Sequence, residues 1–146
     1  MTKRNYRLEA EDHVRKEALP KIYGQKFSRE RLRLTTGGYY DFDAVSFDEK
    51  IVCCISTSVG ETDGGNSASS KLYKMKAEIL SMVMLDAKKK VMAFTDRQMA
   101  VLLEKEKESG RIPLDVEIKV IGLPEDIERG LKEALAHSRA VSKSKK

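Results

Sequence analysis

The hydrophobic positions in the first half of the chain concentrate in two neighbouring stretches, residues 39–47 and 51–57. Both are rich in aromatic and β-branched side chains, which is typical of β-strands. Asp48 and Glu49 lie between them and predict a tight polar turn. Because side chains alternate between faces and opposed residues share a face, a hairpin closed at this turn groups six side chains on one face. These are Asp41, Asp43, Val45, Val52, Cys54 and Ser56.

The open end of this predicted hairpin brings two carboxylates, a thiol and a hydroxyl together in an otherwise apolar setting. The register opposes Asp43 directly to Cys54, with their Cβ atoms about 4.5–5.5 Å apart. Chemically reactive groups gathered at one end of an apolar hairpin indicate a site. We therefore treat this end of the hairpin as the candidate functional region.

The residues before the hairpin predict a helix followed by a strand. Residues 7–19 carry apolar side chains every four positions, and Pro20 is expected to end or bend that helix. Residues 26–35 alternate, with Leu32 and Leu34 on one face. The opposite face carries three arginines: Arg29, Arg31 and Arg33. Such a basic face fits a solvated edge strand, which is the commoner case, or a stripe that contacts phosphates.

The second half of the chain alternates between helical and strand patterns. A loop of small polar residues, 60–70, ends at Ser70, which is expected to cap a helix over residues 71–86. Apolar residues lie nearly all round that helix, so we expect it to be packed on two sides. Residues 95–98 have the form of a capping box, and the helix that follows it is expected to end at Gly110 and Pro113. The remaining elements are two strands and a final helix, at residues 91–94, at 116–120 and from Pro124 onward.

The predicted order of elements is α-β-β-β-α-β-α-β-α. An antiparallel hairpin region followed by strand–helix–strand crossovers predicts an α/β fold, a mixed β-sheet with helices on both faces. A chain of 146 residues fits one domain, which we place at residues 1–138. Four of the five net positive charges lie in the last ten residues, so residues 139–146 are interpreted as a basic, disordered tail. The body is thus nearly neutral, and the basic pI alone does not indicate a nucleic-acid groove.

The composition also bears on the cellular compartment in which the protein is expected. No apolar run approaches the roughly 20 residues of a membrane span, and the N-terminal residues have no apolar signal-peptide core. Two adjacent cysteines, Cys53 and Cys54, argue against a disulfide framework. These features predict a cytoplasmic protein with no membrane partner.

Asp43, a turn, and a hydrophobic strand that ends in CIST resemble the core hairpin of the PD-(D/E)xK nuclease superfamily, the restriction-endonuclease-like fold. The predicted order of elements also resembles the family core, which has a helix, a three-stranded meander, a helix and a strand that returns to the middle. The resemblance implies that Asp43 binds a metal ion. Cys54 then stands where the family has an acidic residue, and Ser56 stands where it has a lysine.

Both departures weaken metal-dependent chemistry at the hairpin itself. Magnesium prefers oxygen ligands, which Asp43 and Asp41 offer, whereas the Cys54 thiol is a soft ligand. Ser56 supplies no positive charge. If the hairpin alone forms the site, we expect no cofactor and no tight metal binding.

A displaced site is the alternative. In some members of the family, the missing acid or base comes from the helix after the hairpin. Lys71, Lys74 and Glu78 have i, i+3, i+7 spacing and share one face of that helix. Together with Asp43, Glu78 and Lys74 would then form a site for Mg²⁺. The family pattern also allows an acid from the first helix, for which the candidates are Glu9 and Glu11.

The leading interpretation is a nuclease-fold protein with an eroded metal site, acting as a non-catalytic module that associates with nucleic acid or regulates. DNA or RNA would be its partner, contacted by the arginine stripe. The first alternative is an active metal-dependent nuclease with its acid and base displaced to the helix. The second is a scaffold or homo-oligomerisation domain without nucleic acid. Salt-dependent DNA binding and magnesium-dependent cleavage distinguish the three.

Overall fold

A five-stranded mixed sheet forms the centre of the computed structural model, which describes residues 4–59 and 65–144, without the side chains of 65–68 and 138–144. The strands are β1 (Phe27–Arg33), β2 (Tyr39–Ser46), β3 (Ile51–Ser56), β4 (Lys89–Phe94) and β5 (Val116–Val120). They lie side by side in chain order. Pairing is antiparallel from β1 to β3 and parallel from β3 to β5. The predicted α/β class with a mixed sheet is therefore confirmed.

Helices cover both faces of this sheet, in the predicted order. The N-terminal helical segment consists of α1 (Tyr6–His13), a π-helical turn (Val14–Ala18) and α2 (Leu19–Tyr23), and the later helices are α3 (Gly65–Val83), α4 (Arg97–Glu108) and α5 (Glu125–Ser144). α3 and α4 pack on one face, while the N-terminal segment packs on the other with α5 against α1. No helix in the described ranges is long and apolar enough to cross a membrane.

Alternation along the central strands separates the core into two apolar clusters. Val45, Val52 and Cys54 point towards α3 and α4, whereas Ala44 and Cys53 point towards the N-terminal helical segment. The two adjacent cysteines are both buried and unpaired, and they lie in opposite clusters because successive side chains of a strand face opposite ways. Cys54 therefore belongs to the same side of the sheet as α3.

Pro20 does not end the first helix. The chain forms a π-helical turn just before it and remains helical to Tyr23. Proline fits this position because it stands in the first turn of a new α-helical segment, where its missing N–H has no intrahelical partner to lose. Gly24, at φ 72°, ends the segment in the left-handed conformation that glycine adopts without steric cost.

The hairpin between β2 and β3 has the predicted register. Val45 pairs with Val52 and Ala44 pairs with Cys53, so the turn is centred where the sequence indicates. Glu49 adopts a positive φ of 61° in that turn, which closes the chain tightly enough for the register to hold.

A β-bulge in β2 overturns one predicted face. Against β1, Ser28 pairs with Val45 and Glu30 pairs with Phe42, so β2 carries one extra residue between these pairs. Beyond the bulge, Phe42 joins the same cluster as Val45, and Asp41 turns to the opposite face. The prediction that Asp41 and Asp43 share a face is therefore wrong.

The helix after the hairpin begins earlier than predicted. α3 starts at Gly65, so Ser70 lies within the helix and not at its N-cap, while residues 60–64 of the predicted loop fall outside the described residues. The expected packing on two sides is also absent within the described part of the chain. Tyr73 is 71% exposed and Leu80 is 59% exposed on the face of α3 that points away from the sheet.

Two further boundaries differ from the sequence-based expectation. The N-cap of α4 is Asp96, whose carboxylate accepts a hydrogen bond from the Met99 amide at 3.2 Å, so the capping box at residues 95–98 was placed one residue early. α5 continues to Ser144, so the predicted disordered tail, which starts at residue 139, overlaps the last turns of this helix.

Candidate functional site

A cleft of about 470 Å³ opens where β3 ends and α3 passes over the sheet. Its walls come from α1, from the open end of the β2–β3 hairpin and from α3. Six of the twelve candidate residues from the sequence line it: Asp43, Ser56, Lys74 and Glu78, together with Glu11 and Lys71. The open end of the hairpin is therefore a concave surface with ionisable groups on several sides.

Asp43, Cys54 and Glu78 form the chemical centre of this region. Their ligand atoms, two carboxylate oxygens and a thiol sulfur, all lie within 4.8 Å of one another. Asp43 comes from β2, Cys54 from β3 and Glu78 from α3, so the cluster exists only in the folded chain. The register predicts the approach of Asp43 to Cys54, whereas the approach of Glu78 is what the family resemblance implies for the displaced site.

Asp43 is held by the strand beside it. One of its carboxylate oxygens, Oδ2, accepts a hydrogen bond from the Ile55 amide at 2.8 Å. Burial raises the pKa of Asp43, and the hydrogen bond from Ile55 acts in the opposite direction. The charges of Arg29 and Arg15 also act to lower this pKa. The hydrogen bond from Ile55 thus fixes the orientation of this carboxylate.

Arg15 supports Asp43 from the first helix, a role that the sequence did not reveal. Its guanidinium donates to the main-chain carbonyl of Asp43 at 2.8 Å and makes ion pairs with Glu11 at 2.7 Å and Asp12 at 2.9 Å. The only sequence signal for this arrangement is the i, i+4 and i, i+3 spacing of the two acids before Arg15. The network fixes the distance between α1 and β2.

Of the two first-helix acids that the family pattern offered, only Glu11 lines the cleft. Its carboxylate is one of the charges that raise the pKa of Asp43, so the two groups lie close in space. Glu9 instead pairs with Arg4 at 2.7 Å. Glu11 is therefore available at the edge of the cluster, although Arg15 already neutralises part of its charge.

Glu78 is the most perturbed carboxylate of the site. Burial, with the charge of Asp43 as the second cause, raises the pKa of Glu78 to about 7. A hydrogen bond with the Cys54 thiol and the charge of Lys74 act in the opposite direction. The positive charge of Lys74 therefore does not offset burial and the neighbouring Asp43 carboxylate.

Cys54 contributes as a neutral group. It is buried, and burial together with the charges of Glu78 and Asp43 raises the pKa of its thiol far above the ordinary value. The thiolate needed for nucleophilic attack or for metal ligation is therefore disfavoured. The thiol can still hold Glu78 by hydrogen bonding.

The two lysines of α3 differ in their freedom. Lys71 donates to the main-chain carbonyl of Val59 at 2.7 Å and so fixes the segment that follows β3. Lys74 is exposed at the edge of the cleft, one helical turn before Glu78. Of these two, Lys74 is the cation that remains available to an anionic ligand.

Ser56 and Asp41, the other residues predicted from the sequence, have different positions. Ser56 lines the cleft, and its main-chain carbonyl accepts from the Thr95 amide at 3.1 Å. Asp41 is 64% exposed and pairs with Arg31 at 3.1 Å, away from the cluster. The prediction that Asp41 joins Asp43 at the metal site therefore does not match its position. The bulge in β2 is the reason.

The arginine stripe of β1 lies on an exposed strand at the edge of the sheet. Arg31 is occupied by Asp41, whereas Arg29 is close enough to Asp43 to lower its pKa. Arg29 of the stripe therefore acts electrostatically on the candidate site.

Comparisons of the chain with protein-family models, with curated proteins and with solved structures found no match.

The donor atoms of the cluster suit a small divalent cation. Magnesium and manganese take carboxylate oxygens, and magnesium is commonly held by one or two carboxylates with water in the remaining positions. Asp43 and Glu78 provide two such oxygens beside an open cleft, and both have raised pKa values that a cation would reverse. Zinc fits this cluster less well, because structural and catalytic zinc sites usually take several cysteine or histidine ligands and this cluster offers one sulfur and no histidine.

Proposed function

We propose that the protein is a divalent-metal-dependent nuclease whose second acid and whose lysine are displaced from the hairpin to α3. The observation that carries this proposal is the convergence of the Asp43 and Glu78 carboxylates within 4.8 Å, beside Lys74 and at the floor of an open cleft. Phosphodiester hydrolysis uses such carboxylates for metal binding and a nearby cation for phosphate charge.

The sheet order supports this proposal without depending on sequence motifs. A helix, the meander β1–β2–β3, α3 and a β4 strand that returns beside β3 resemble the core of the PD-(D/E)xK superfamily. In that resemblance Asp43 matches the metal-binding acid. Cys54 and Ser56 depart from the family pattern at the hairpin, and the replacements for both come from the following helix.

Each residue of the site has a distinct task in this mechanism. Asp43 and Glu78 would hold the cation, with Asp43 oriented by the Ile55 amide. When bound, a divalent ion stabilises charge on the phosphate and lowers the pKa of an attacking water. Lys74 binds a non-bridging phosphate oxygen and orients the phosphodiester. Arg15 is a positioning residue, since it acts through the main chain of Asp43.

A second candidate function rests on Cys54. This neutral, buried thiol occupies the position of an acid in the family and leaves the hairpin itself with one carboxylate. That observation favours a nucleic-acid-binding or regulatory module without cleavage. The two free, buried cysteines suit a reducing compartment, so we place either activity in the cytoplasm.

The experiment that tests the proposal is a cleavage assay on single- and double-stranded oligonucleotides with Mg²⁺ or Mn²⁺. Wild-type protein is expected to cleave only with the metal. Glu78→Gln should lower the rate about 100-fold or more, because loss of a metal-binding carboxylate removes several kcal/mol of charge stabilisation. Glu104→Gln, at an exposed position of α4, is the matched control and should keep full activity. Metal-independent binding without cleavage by the wild type would instead support the non-catalytic module.

A further inference from the structure

A second cleft, of about 570 Å³, adjoins the site. The two clefts share four lining residues from the N-terminal segment and the segment after β3: Asn5, Arg7, Thr57 and Ser58. Lys71 lines the first cleft and bonds to the carbonyl of Val59, which lines the second. The clefts are therefore adjacent, and an extended ligand that follows the shared residues would contact both.

The far wall of the second cleft is apolar. It is formed by Tyr6 and by one face of α5, which contributes Leu131, Ala134 and Leu135. The Arg4 guanidinium lies 4.7 Å from the centre of the Tyr6 ring, and Gly130 lies so close to this ring that a Cβ atom there would overlap it. Tyr6 is thus fixed as part of the wall.

Two arginines beside the clefts, Arg4 and Arg7, differ in whether their charge is neutralised by acidic neighbours. Arg4 is neutralised by ion pairs with Glu9 and Asp126, both at 2.7 Å. Arg7 is exposed, lines both clefts, and has no ion pair with any residue in the described ranges. An available guanidinium at the junction, between an acidic cluster and an apolar wall, fits a phosphate that connects two different groups.

We propose that the second cleft binds an unpaired nucleobase of the strand that is held at the site, with Arg7 contacting the phosphate beside it. The inference rests on the proposed nuclease function and names its substrate as a single-stranded or frayed nucleic acid. A nucleobase is flat and mainly apolar with polar edges, and the cleft has the size of a small-molecule pocket, roughly 300–1,000 Å³. A base within a duplex is stacked and paired, so it does not enter such a pocket without being flipped out.

The test compares binding of two fluorescent oligomers without divalent ions, where no metal-dependent cleavage occurs. One is a short oligothymidylate, and the other has the same number of phosphates and abasic sugars throughout. Wild-type protein should bind the base-containing strand at least about 5-fold more tightly, since a buried base contributes about 1–3 kcal/mol. Equal affinities, or no binding of either strand at low salt, would overturn the subsite.

Two variants of the same helix localise the effect. Ala134→Phe places a large side chain in the second cleft, whereas Ala136→Phe places it on an exposed position of α5 that does not line the cleft. Ala134→Phe should abolish the preference for bases and keep the affinity for the abasic strand. Ala136→Phe should behave as wild type. Equal melting temperatures confirm that both are folded, and equal base preference in both would overturn the proposal.

Arg7→Gln sharpens the assignment of the phosphate contact. It should weaken both strands by a similar factor, because it removes a phosphate contact and leaves the apolar wall unchanged. Lys88→Gln, an exposed lysine outside both clefts, is the charge-matched control. The subsite and the nuclease proposal fail separately. Cleavage with Mg²⁺ but no base preference overturns the subsite, whereas base preference without cleavage overturns the nuclease.

Discussion

The two ends of the β2–β3 hairpin each carry an aspartate, and the two aspartates have opposite electrostatic environments. At the closed end, the Asp48 carboxylate accepts from the Ser46 hydroxyl at 2.7 Å and from the Lys50 amide at 3.0 Å. These donors, with Ser46 first, lower the pKa of Asp48. At the open end, burial raises the pKa of Asp43, and Glu78 lies beside it.

This contrast separates a structural carboxylate from a candidate ligand. A carboxylate that stabilises a turn is surrounded by donors, because each donor favours its charged form. Asp43 has a single backbone donor, at Ile55, and its nearest ionisable neighbours include another acid. Two acids brought together with few donors are stabilised by a cation. The open end therefore has the features of a binding site and the closed end those of a turn.

Replacing each aspartate by asparagine should give the largest difference in cleavage rate between the two ends of the hairpin. Asp43→Asn should lower metal-dependent cleavage about 100-fold or more, because it removes a carboxylate from the cation site. Asp48→Asn should leave the rate unchanged and lower the melting temperature, because it weakens the acceptor at the turn. Steady-state cleavage and thermal melting of both variants provide the measurements. A rate loss of the same size in Asp48→Asn would remove the distinction between the two ends.

Removing the contact between Arg15 and Asp43 should have the next largest effect, on both stability and kcat. Arg15→Met should destabilise the fold by about 1.5–3 kcal/mol, since it removes charge-assisted hydrogen bonds to Glu11, Asp12 and the Asp43 carbonyl. It should also lower kcat more than it changes KM, because it displaces Asp43 without touching substrate. Lys16→Met is the neighbouring control, with its amine 3.9 Å from Asp12 in an exposed pair. Urea unfolding and kinetics measure the two effects, and unchanged kcat would argue against positioning by Arg15.

The pH dependence of stability sharpens the comparison at the open end. The pKa of Glu78 is raised to about 7 in the folded protein, whereas an unfolded glutamate titrates at its ordinary, lower pKa. As pH rises between these two values, the unfolded state loses its proton first, so folding becomes less favourable until Glu78 has ionised. In EDTA, the melting temperature of wild type should fall relative to Glu78→Gln between about pH 5 and pH 8. A constant difference across that range would show that Glu78 is not perturbed.

Substitution of Lys74 should give the smallest change in cleavage activity. Lys74→Gln should reduce kcat/KM about 10-fold, because one charge-assisted contact to phosphate is lost. Lys76→Gln is a suitable control on the same helix, since Lys76 pairs with Glu106 at 2.6 Å and does not line the cleft. Equal losses in both variants would indicate a general charge effect.

Much of this arrangement follows from local patterns in the sequence. The turn at Asp48 and Glu49 sets the register, and the register brings Asp43 to Cys54. Helical spacing places Lys74 and Glu78 on the face of α3 that reaches the cleft. The register and the shared helical face need only the geometry of a single pair or a single element, whereas placing that face at the site rests on the family resemblance.

The features that the sequence missed depend on contacts between distant elements. The bulge that turns Asp41 away cannot be recognised from the sequence of β2 alone, because it is a property of the pairing between β2 and β1. From the sequence, Arg15 is one charge among several on an amphipathic helix. Its role becomes visible only when the N-terminal helical segment is packed against β2. The weak helix propensity of glycine and serine does not predict the early start of α3 at Gly65. These residues can join the helix because the rest of α3 already provides its nucleus.

The most direct measurement is a calorimetric titration of Mn²⁺ into the wild-type protein above pH 7, with Asp43→Asn, Glu78→Gln and Asp48→Asn in parallel. One binding site is predicted for the wild type and for Asp48→Asn, and the loss of a carboxylate ligand should abolish it in the other two. Proton release should accompany binding in buffers near pH 7, since the cation lowers the pKa of Glu78 from about 7. Absence of binding by the wild type, or equal binding by Glu78→Gln, would contradict a metal site built from Asp43 and Glu78.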